Sequence, residues 1–123
     1  MKLFIIIGAI FAFLAVAFGA FGAHALEGKV VGKYMDNWQT AVQYQMFHAI
    51  GIFIVALLLS KMPDSSLLTW SGWLMAFGIL FFSGSLYILA LTKISILGAI
   101  TPIGGVAFLV GWVLILVFAV KHL

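Results

Sequence analysis

Four long apolar segments constrain this chain more than any other feature of its sequence. They run roughly over residues 3–25, 40–60, 67–92 and 96–120. Of the 123 residues, 66% are hydrophobic and 7% are charged, which is too apolar for a soluble domain of this size to bury. At about 1.5 Å of rise per residue, each segment can cross about 30 Å of hydrocarbon. Backbone groups in lipid must pair within their own segment, so the sequence predicts an all-α membrane protein with four transmembrane helices, forming one domain over residues 1–123.

The connections between the segments predict how these helices are arranged. The links at 61–66 and 93–95 are short, so the helices should be antiparallel neighbours in an up-and-down bundle. The link after the first segment is longer, and its apolar residues Val31, Tyr34, Met35 and Trp38 fall on one helical face. This pattern favours a short amphipathic helix on the membrane surface, with a solvated loop as the alternative. We also expect the second helix to extend back to about Tyr34.

The N-terminus and the lysines bear on topology. Lys2, the apolar run and Ala23-His24-Ala25 imitate a secretory signal, but this run exceeds the usual length of about 7–15 residues, so we expect a retained helix. Four spans place both termini on one side. The lysine count ties at three on each side, with Lys2, Lys61 and Lys121 against Lys29, Lys33 and Lys93. The free amino terminus, and the acids beside two of the opposing lysines, favour cytoplasmic termini.

Several function classes are excluded by what the sequence lacks. The chain has no cysteine, which excludes disulfides, thiolate catalysis and cysteine-ligated metal. It has no arginine and no cluster of lysines, so nucleic-acid binding is not expected. The predicted spans contain no carboxylate, which argues against a proton-driven pump. We expect no catalytic residue, no metal and no cofactor.

The polar residues of the spans lie toward one end of the predicted bundle. Tyr44 and His48 are four residues apart, as are Ser83 and Tyr87, so each pair should share a helical face. The sequence Thr101-Pro102-Ile103-Gly104-Gly105 should loosen the start of the fourth helix and free backbone carbonyls. Tyr87 and His48 are the expected donors to them. Each polar residue also has a purely structural interpretation as a hydrogen-bonding group between helices.

Four sequence segments resemble signatures of a known family. They are GAFGAHAL at 19–26, YQMFHAIG at 44–51, FSGSLYIL at 82–89 and ITPIGGVAFLVGW at 100–112. The chain resembles over its whole length the domain-of-unknown-function 423 family of small bacterial membrane proteins. The resemblance implies a multi-pass protein of the bacterial plasma membrane and no assigned activity. The family's motif positions coincide with the candidate binding cluster: His24, Tyr44, His48, Ser83, Ser85, Tyr87, Thr101, Pro102, Gly104 and Gly105.

Four functions remain open at this point. The first is a binding or transport module for a small molecule or a lipid. The second is a structural or partner-binding subunit that forms homo-oligomers, in which the polar cluster only locks the helices together. The third is a hydrolase using Ser83 and His48, although no buried acid is available to orient the histidine. The fourth is haem ligation by His24 and His48.

Overall fold

Four long helices account for most of the chain. The computed structural model describes residues 1–123, apart from the side chain of Ala23. The helices are α1 (Lys2–Gly22), α2 (Lys33–Lys61), α3 (Ser66–Thr92) and α4 (Ser95–His122), each apolar and long enough to cross a membrane. A single further helical turn, Ala23–Ala25, follows α1. The predicted four-helix membrane fold is confirmed.

The helices pack in chain order, α1 on α2, α2 on α3 and α3 on α4. The bundle therefore has a terminal end, which holds both termini and the link at 62–65, and a loop end, which holds the links at 26–32 and 93–94. Large apolar side chains fill the terminal half and close its core. They are Phe4, Ile52, Val55, Leu68, Met75 and Phe118.

The long link between α1 and α2 differs from the amphipathic surface helix that the sequence favoured. Residues from Lys33 onward form the first turns of α2 itself. The expected extension of this helix to about Tyr34 is therefore present, and the separate surface helix is not. Trp38 is buried beneath α1 and α3 and is not an exposed interfacial anchor. The physical reason is that Tyr34, Met35 and Trp38 pack against the loop end of the bundle, whereas Val31 of the same predicted face is 60% exposed.

Two helices contain a π-helical turn, Ala17–Gly22 in α1 and Ile79–Ser83 in α3. A π-helical turn holds more residues than an α-helical turn, so it changes the face on which later side chains lie. Helix α4 opens instead with a tighter turn, Ser95–Ala99, and is α-helical from Thr101. The expected loosening at 101–105 is therefore wrong, because Pro102 lies in the first turn of the α-helical part of α4, where a missing N–H costs little.

Helix lengths locate the candidate site relative to the bilayer. The 21 residues of α1 rise about 31 Å, which matches the hydrocarbon thickness. The indole of Trp38 packs on Gly22, the last residue of α1, so Trp38 marks the boundary at the loop end. Counted from Trp38, Gln43 lies about 8 Å and His48 about 15 Å inside that boundary. His48 is therefore close to the middle of the membrane.

Candidate functional site

A chain of hydrogen bonds crosses the bundle from α3 through α2 to α1. The Tyr87 hydroxyl donates to Gln45 Oε1 at 2.7 Å, and Gln45 Nε2 donates to the Phe11 carbonyl oxygen at 2.8 Å. Gln45 is only 2% exposed. Its amide nitrogen and its amide oxygen each form a hydrogen bond, and together they join three helices inside the membrane.

Helix direction explains why Tyr87 reaches Gln45. Side chains on a helix lean toward its N-terminus, and α2 and α3 run antiparallel. Tyr87 therefore leans toward the middle of the membrane, and Gln45 leans back toward the loop end. The Tyr87 ring lies 4.7 Å from the Trp38 ring and 5.0 Å from the Phe18 ring, centroid to centroid. Trp38 Nε1 also donates to the Phe18 carbonyl at 3.0 Å, in the π-helical turn of α1.

His48 joins α2 to α4. Trp112 Nε1 donates to His48 Nε2 at 3.0 Å, and this requires the neutral tautomer in which Nδ1 carries the proton. That Nδ1 donates to the Tyr44 carbonyl at 2.8 Å. The imidazole also stacks on the Phe108 ring, with centroids 3.5 Å apart and planes 10° apart. Both nitrogens of His48 are thus occupied by partners within the protein.

The hydroxyl groups of α3 complete the connections between helices. Ser83 donates to the Ala41 carbonyl on α2 at 2.7 Å. The Ser85 and Thr101 hydroxyls pair at 2.6 Å between α3 and α4. In the part of the chain that the structure describes, no buried side-chain nitrogen or oxygen lacks a hydrogen-bond partner. Each buried polar atom of the interior is therefore paired, either with another side chain or with a backbone group.

A groove opens on the side of the bundle between α2 and α4. Its volume is about 710 Å³. Its walls are mainly aromatic and aliphatic, and Gln43 and Tyr44 lie at the end nearest the loop boundary. The lining residues are Gln43, Tyr44, Phe47, His48, Phe82, Pro102, Gly105, Val106, Phe108, Leu109 and Trp112. The hydrogen-bonded His48 and Trp112 close the inner end, so the groove runs from the membrane boundary toward the midplane.

The predicted cluster divides into three groups. The first group belongs to the hydrogen-bonded interior and consists of Ser83, Ser85, Tyr87 and Thr101. The second group lines the groove and consists of Tyr44, His48, Pro102 and Gly105. Tyr44 is 44% exposed, although it was expected on the same inward face as His48. The third group lies outside both. His24 is exposed beyond the end of α1, and Gly104 is a packing residue whose added methyl would overlap the Phe82 backbone.

Two expectations about partners are wrong. Tyr87 and His48 do not donate to carbonyls at the start of α4, because Gln45 and the Tyr44 carbonyl accept their protons. Gln45 and Trp112 also belong to the site, although neither was in the predicted binding cluster. A glutamine in an apolar helix was a signal for Gln45, since a buried amide needs partners. Trp112 gave no such signal, because tryptophan is common in membrane helices.

Comparison with known proteins identifies the family. The sequence profile of a family described as "Protein of unknown function (DUF423)" matches residues 18–105. This match spans more than half of the chain and includes Gln45, Ser83 and Tyr87 of the hydrogen-bonded interior and Gln43 and Tyr44 at the mouth of the groove. The chain belongs to this family.

Three similar proteins are named as membrane proteins. The chain is 61% identical over 123 residues to the UPF0382 membrane protein YwdK of Bacillus subtilis, with 100% of both chains covered. It is 54% identical over 121 residues to a UPF0382 membrane protein of Staphylococcus epidermidis, with 98% of each chain covered. A Staphylococcus aureus relative is 50% identical with the same coverage. No solved structure matches this chain. The predicted family resemblance is confirmed.

Proposed function

We propose that this protein is a non-enzymatic bacterial membrane module that binds a lipid, or a similarly amphipathic small molecule, in the groove between α2 and α4. The observation that carries the proposal is the contrast between the two polar regions. Each buried polar atom of the interior has a hydrogen-bond partner, whereas Gln43 and Tyr44 at the groove mouth are exposed. A ligand with an apolar tail and a hydrogen-bonding head fits this gradient, since ligand sites combine apolar walls with a few placed polar groups.

The bilayer itself supports the choice of ligand. The groove opens sideways at membrane depth, so lipid tails reach it without crossing water. The backbone of Gln43 and Tyr44 lies about 8–9 Å inside the loop-end boundary, and side chains on α2 lean back toward that boundary, where a headgroup linkage can accept their protons. The closed inner end at His48 and Trp112 limits how deeply the tail can insert.

The same contacts argue against the catalytic and haem hypotheses. The Ser83 hydroxyl donates to the Ala41 carbonyl and is not paired with His48, so a general base for this serine is missing among the described contacts. An iron ligand would need a free nitrogen on His48, but Trp112 and the Tyr44 carbonyl occupy both. We therefore favour binding over bond breaking.

A second candidate is a structural subunit that associates with copies of itself. Gln39 and Gln43 are four residues apart on α2, and both are exposed on the outside of the bundle. A glutamine facing hydrocarbon is costly, and a second copy could supply hydrogen bonds to this pair. Under this hypothesis, the interior polar cluster would only hold the four helices together.

Native mass spectrometry of the purified full chain tests the choice. Val106→Trp fills the groove, because Val106 lines it and is exposed. Val113→Trp is the matched control, two helical turns further along α4, exposed and outside the groove lining. Lipid binding predicts a retained lipid that only Val106→Trp removes. Two results would contradict the proposal and favour the structural subunit. One is a wild-type protein without bound lipid. The other is a wild-type dimer that Gln43→Leu converts to a monomer.

Orientation is a separate part of the proposal. We infer cytoplasmic termini from the free amino terminus and from the acids Glu27 and Asp36 at the loop end. Reporter fusions at the C-terminus should then be active only inside the cell. Activity of an exported reporter at that position would reverse the assignment.

A further inference from the structure

Two lysines from different helices converge on one aromatic ring at the loop end. Lys33 is the first residue of α2, and its Nζ lies 5.2 Å from the centroid of the Tyr34 ring. Lys93 follows the last residue of α3, and its Nζ lies 5.6 Å from the same centroid. Two positive charges from different helices are thus placed around one ring.

The backbone at Lys93 adds a second observation. Lys93 adopts a left-handed conformation with φ 61°, and no other residue apart from glycine has a positive φ in the described backbone. Helices commonly end in this conformation with glycine, which adopts it without steric cost. A lysine here retains a strained backbone together with a charged side chain, and that side chain extends over Tyr34 of a neighbouring helix.

The position of this cluster matches the headgroup layer. Tyr34 precedes Trp38 by one helical turn, which places it about 6 Å outside the hydrocarbon boundary. Its ring packs against the small apolar cluster that contains Val30 and Ala90, so it gives the two lysines a fixed platform. Lysines at this level attract anionic lipids, and phosphate oxygens accept protons from ammonium groups.

We propose that Lys33, Tyr34 and Lys93 form a site for the phosphate of an anionic membrane lipid. This site is separate from the groove, because none of its three residues lines the groove. It goes beyond the proposed function by assigning a headgroup charge preference to another face of the bundle. The ligand is the phosphodiester of a lipid such as phosphatidylglycerol.

Lipid selectivity in nanodiscs tests this site. The full chain is reconstituted in equal amounts of phosphatidylglycerol and phosphatidylcholine, and the lipids retained after gentle detergent extraction are quantified by mass spectrometry. Each lysine should contribute on the order of five-fold to phosphatidylglycerol retention. We expect K33Q/K93Q to lose the enrichment and K33R/K93R to keep it. The control K61Q/K121Q removes the same amount of charge at the terminal end, and it should retain the phosphatidylglycerol enrichment.

Three results would overturn the proposal. One is unchanged enrichment in K33Q/K93Q with native helicity. Another is an equal loss in K61Q/K121Q, which would make the preference a sum over all surface lysines. The third uses phosphatidylcholine discs with added inorganic phosphate. If millimolar phosphate raises the thermal stability of the wild type but not of K33Q/K93Q, and phosphatidylglycerol adds nothing further, the ligand is a free anion and not a lipid.

Discussion

Replacing Tyr87 with phenylalanine tests the hydrogen-bonded chain that joins α3 to α1 through Gln45. The substitution keeps the ring between Trp38 and Phe18 and removes only the hydroxyl that donates to Gln45 Oε1 at 2.7 Å. Hydrogen bonds between membrane helices contribute about 0.6 kcal/mol on average and up to about 1.7 kcal/mol. Gln45 is 2% exposed, so its oxygen is left without a donor, which costs ~1–3 kcal/mol. We expect a loss of about 1–2 kcal/mol in the free energy of unfolding.

A double-mutant cycle with Gln45→Leu isolates this bond. Gln45→Leu removes the bonds to both Tyr87 and the Phe11 carbonyl, so it should cost more than Tyr87→Phe alone. The double variant should lose about 1 kcal/mol less free energy of unfolding than the sum of the two single losses, because that sum counts the shared bond twice. Reversible unfolding in mixed micelles, followed by circular dichroism, measures all four proteins.

Thr92→Val provides the control for this cycle. The Thr92 hydroxyl bonds to the Ile88 carbonyl of its own helix in an exposed position, so its loss should change stability by less than about 0.5 kcal/mol. Strict additivity of Tyr87→Phe and Gln45→Leu would refute the reasoning, because the two side chains would then not share a bond in the membrane.

Two further predictions concern the contacts of α4. Gly104→Ala should destabilise the protein by about 1–3 kcal/mol, because its methyl overlaps the Phe82 backbone, whereas Gly105→Ala should change stability by less than about 0.5 kcal/mol. Thermal unfolding in detergent compares the two, and equal effects would count against the close packing of α3 on α4. Trp112→Phe should cost about 1 kcal/mol in the same assay, since His48 Nε2 loses its donor. A Trp112→Phe variant as stable as the wild type would show that this bond does not form.

The sequence predicted the number of helices, their antiparallel order and the end of the bundle at which the polar residues lie. The four-residue spacing of Ser83 and Tyr87 also predicted a shared face, and both side chains do donate to α2. These features depend on segment length and helical period, which are local properties of a chain. They are therefore visible before any packing is known.

The division of the polar cluster was not visible in the sequence. Tyr44 and Gln45 are adjacent residues, and either could have faced the interior. Packing of α1 on α2 decides between them, since the Phe11 carbonyl offers an acceptor to Gln45 and leaves Tyr44 at the groove. The π-helical turns add a second obstacle, because they change the helical phase without a recognisable sequence signal.

Photoreactive lipids test the central claim of a groove for amphipathic ligands most directly. The full chain is reconstituted with a phospholipid that carries a photoactivatable group in its acyl tail, and cross-linked residues are identified by peptide mass spectrometry. The account predicts labelling concentrated at Phe47, Val106 and Leu109 and a large decrease in Val106→Trp. Equal labelling of exposed positions outside the groove, such as Ile10 and Leu116, would contradict it, because the groove would then hold lipid no better than the rest of the surface.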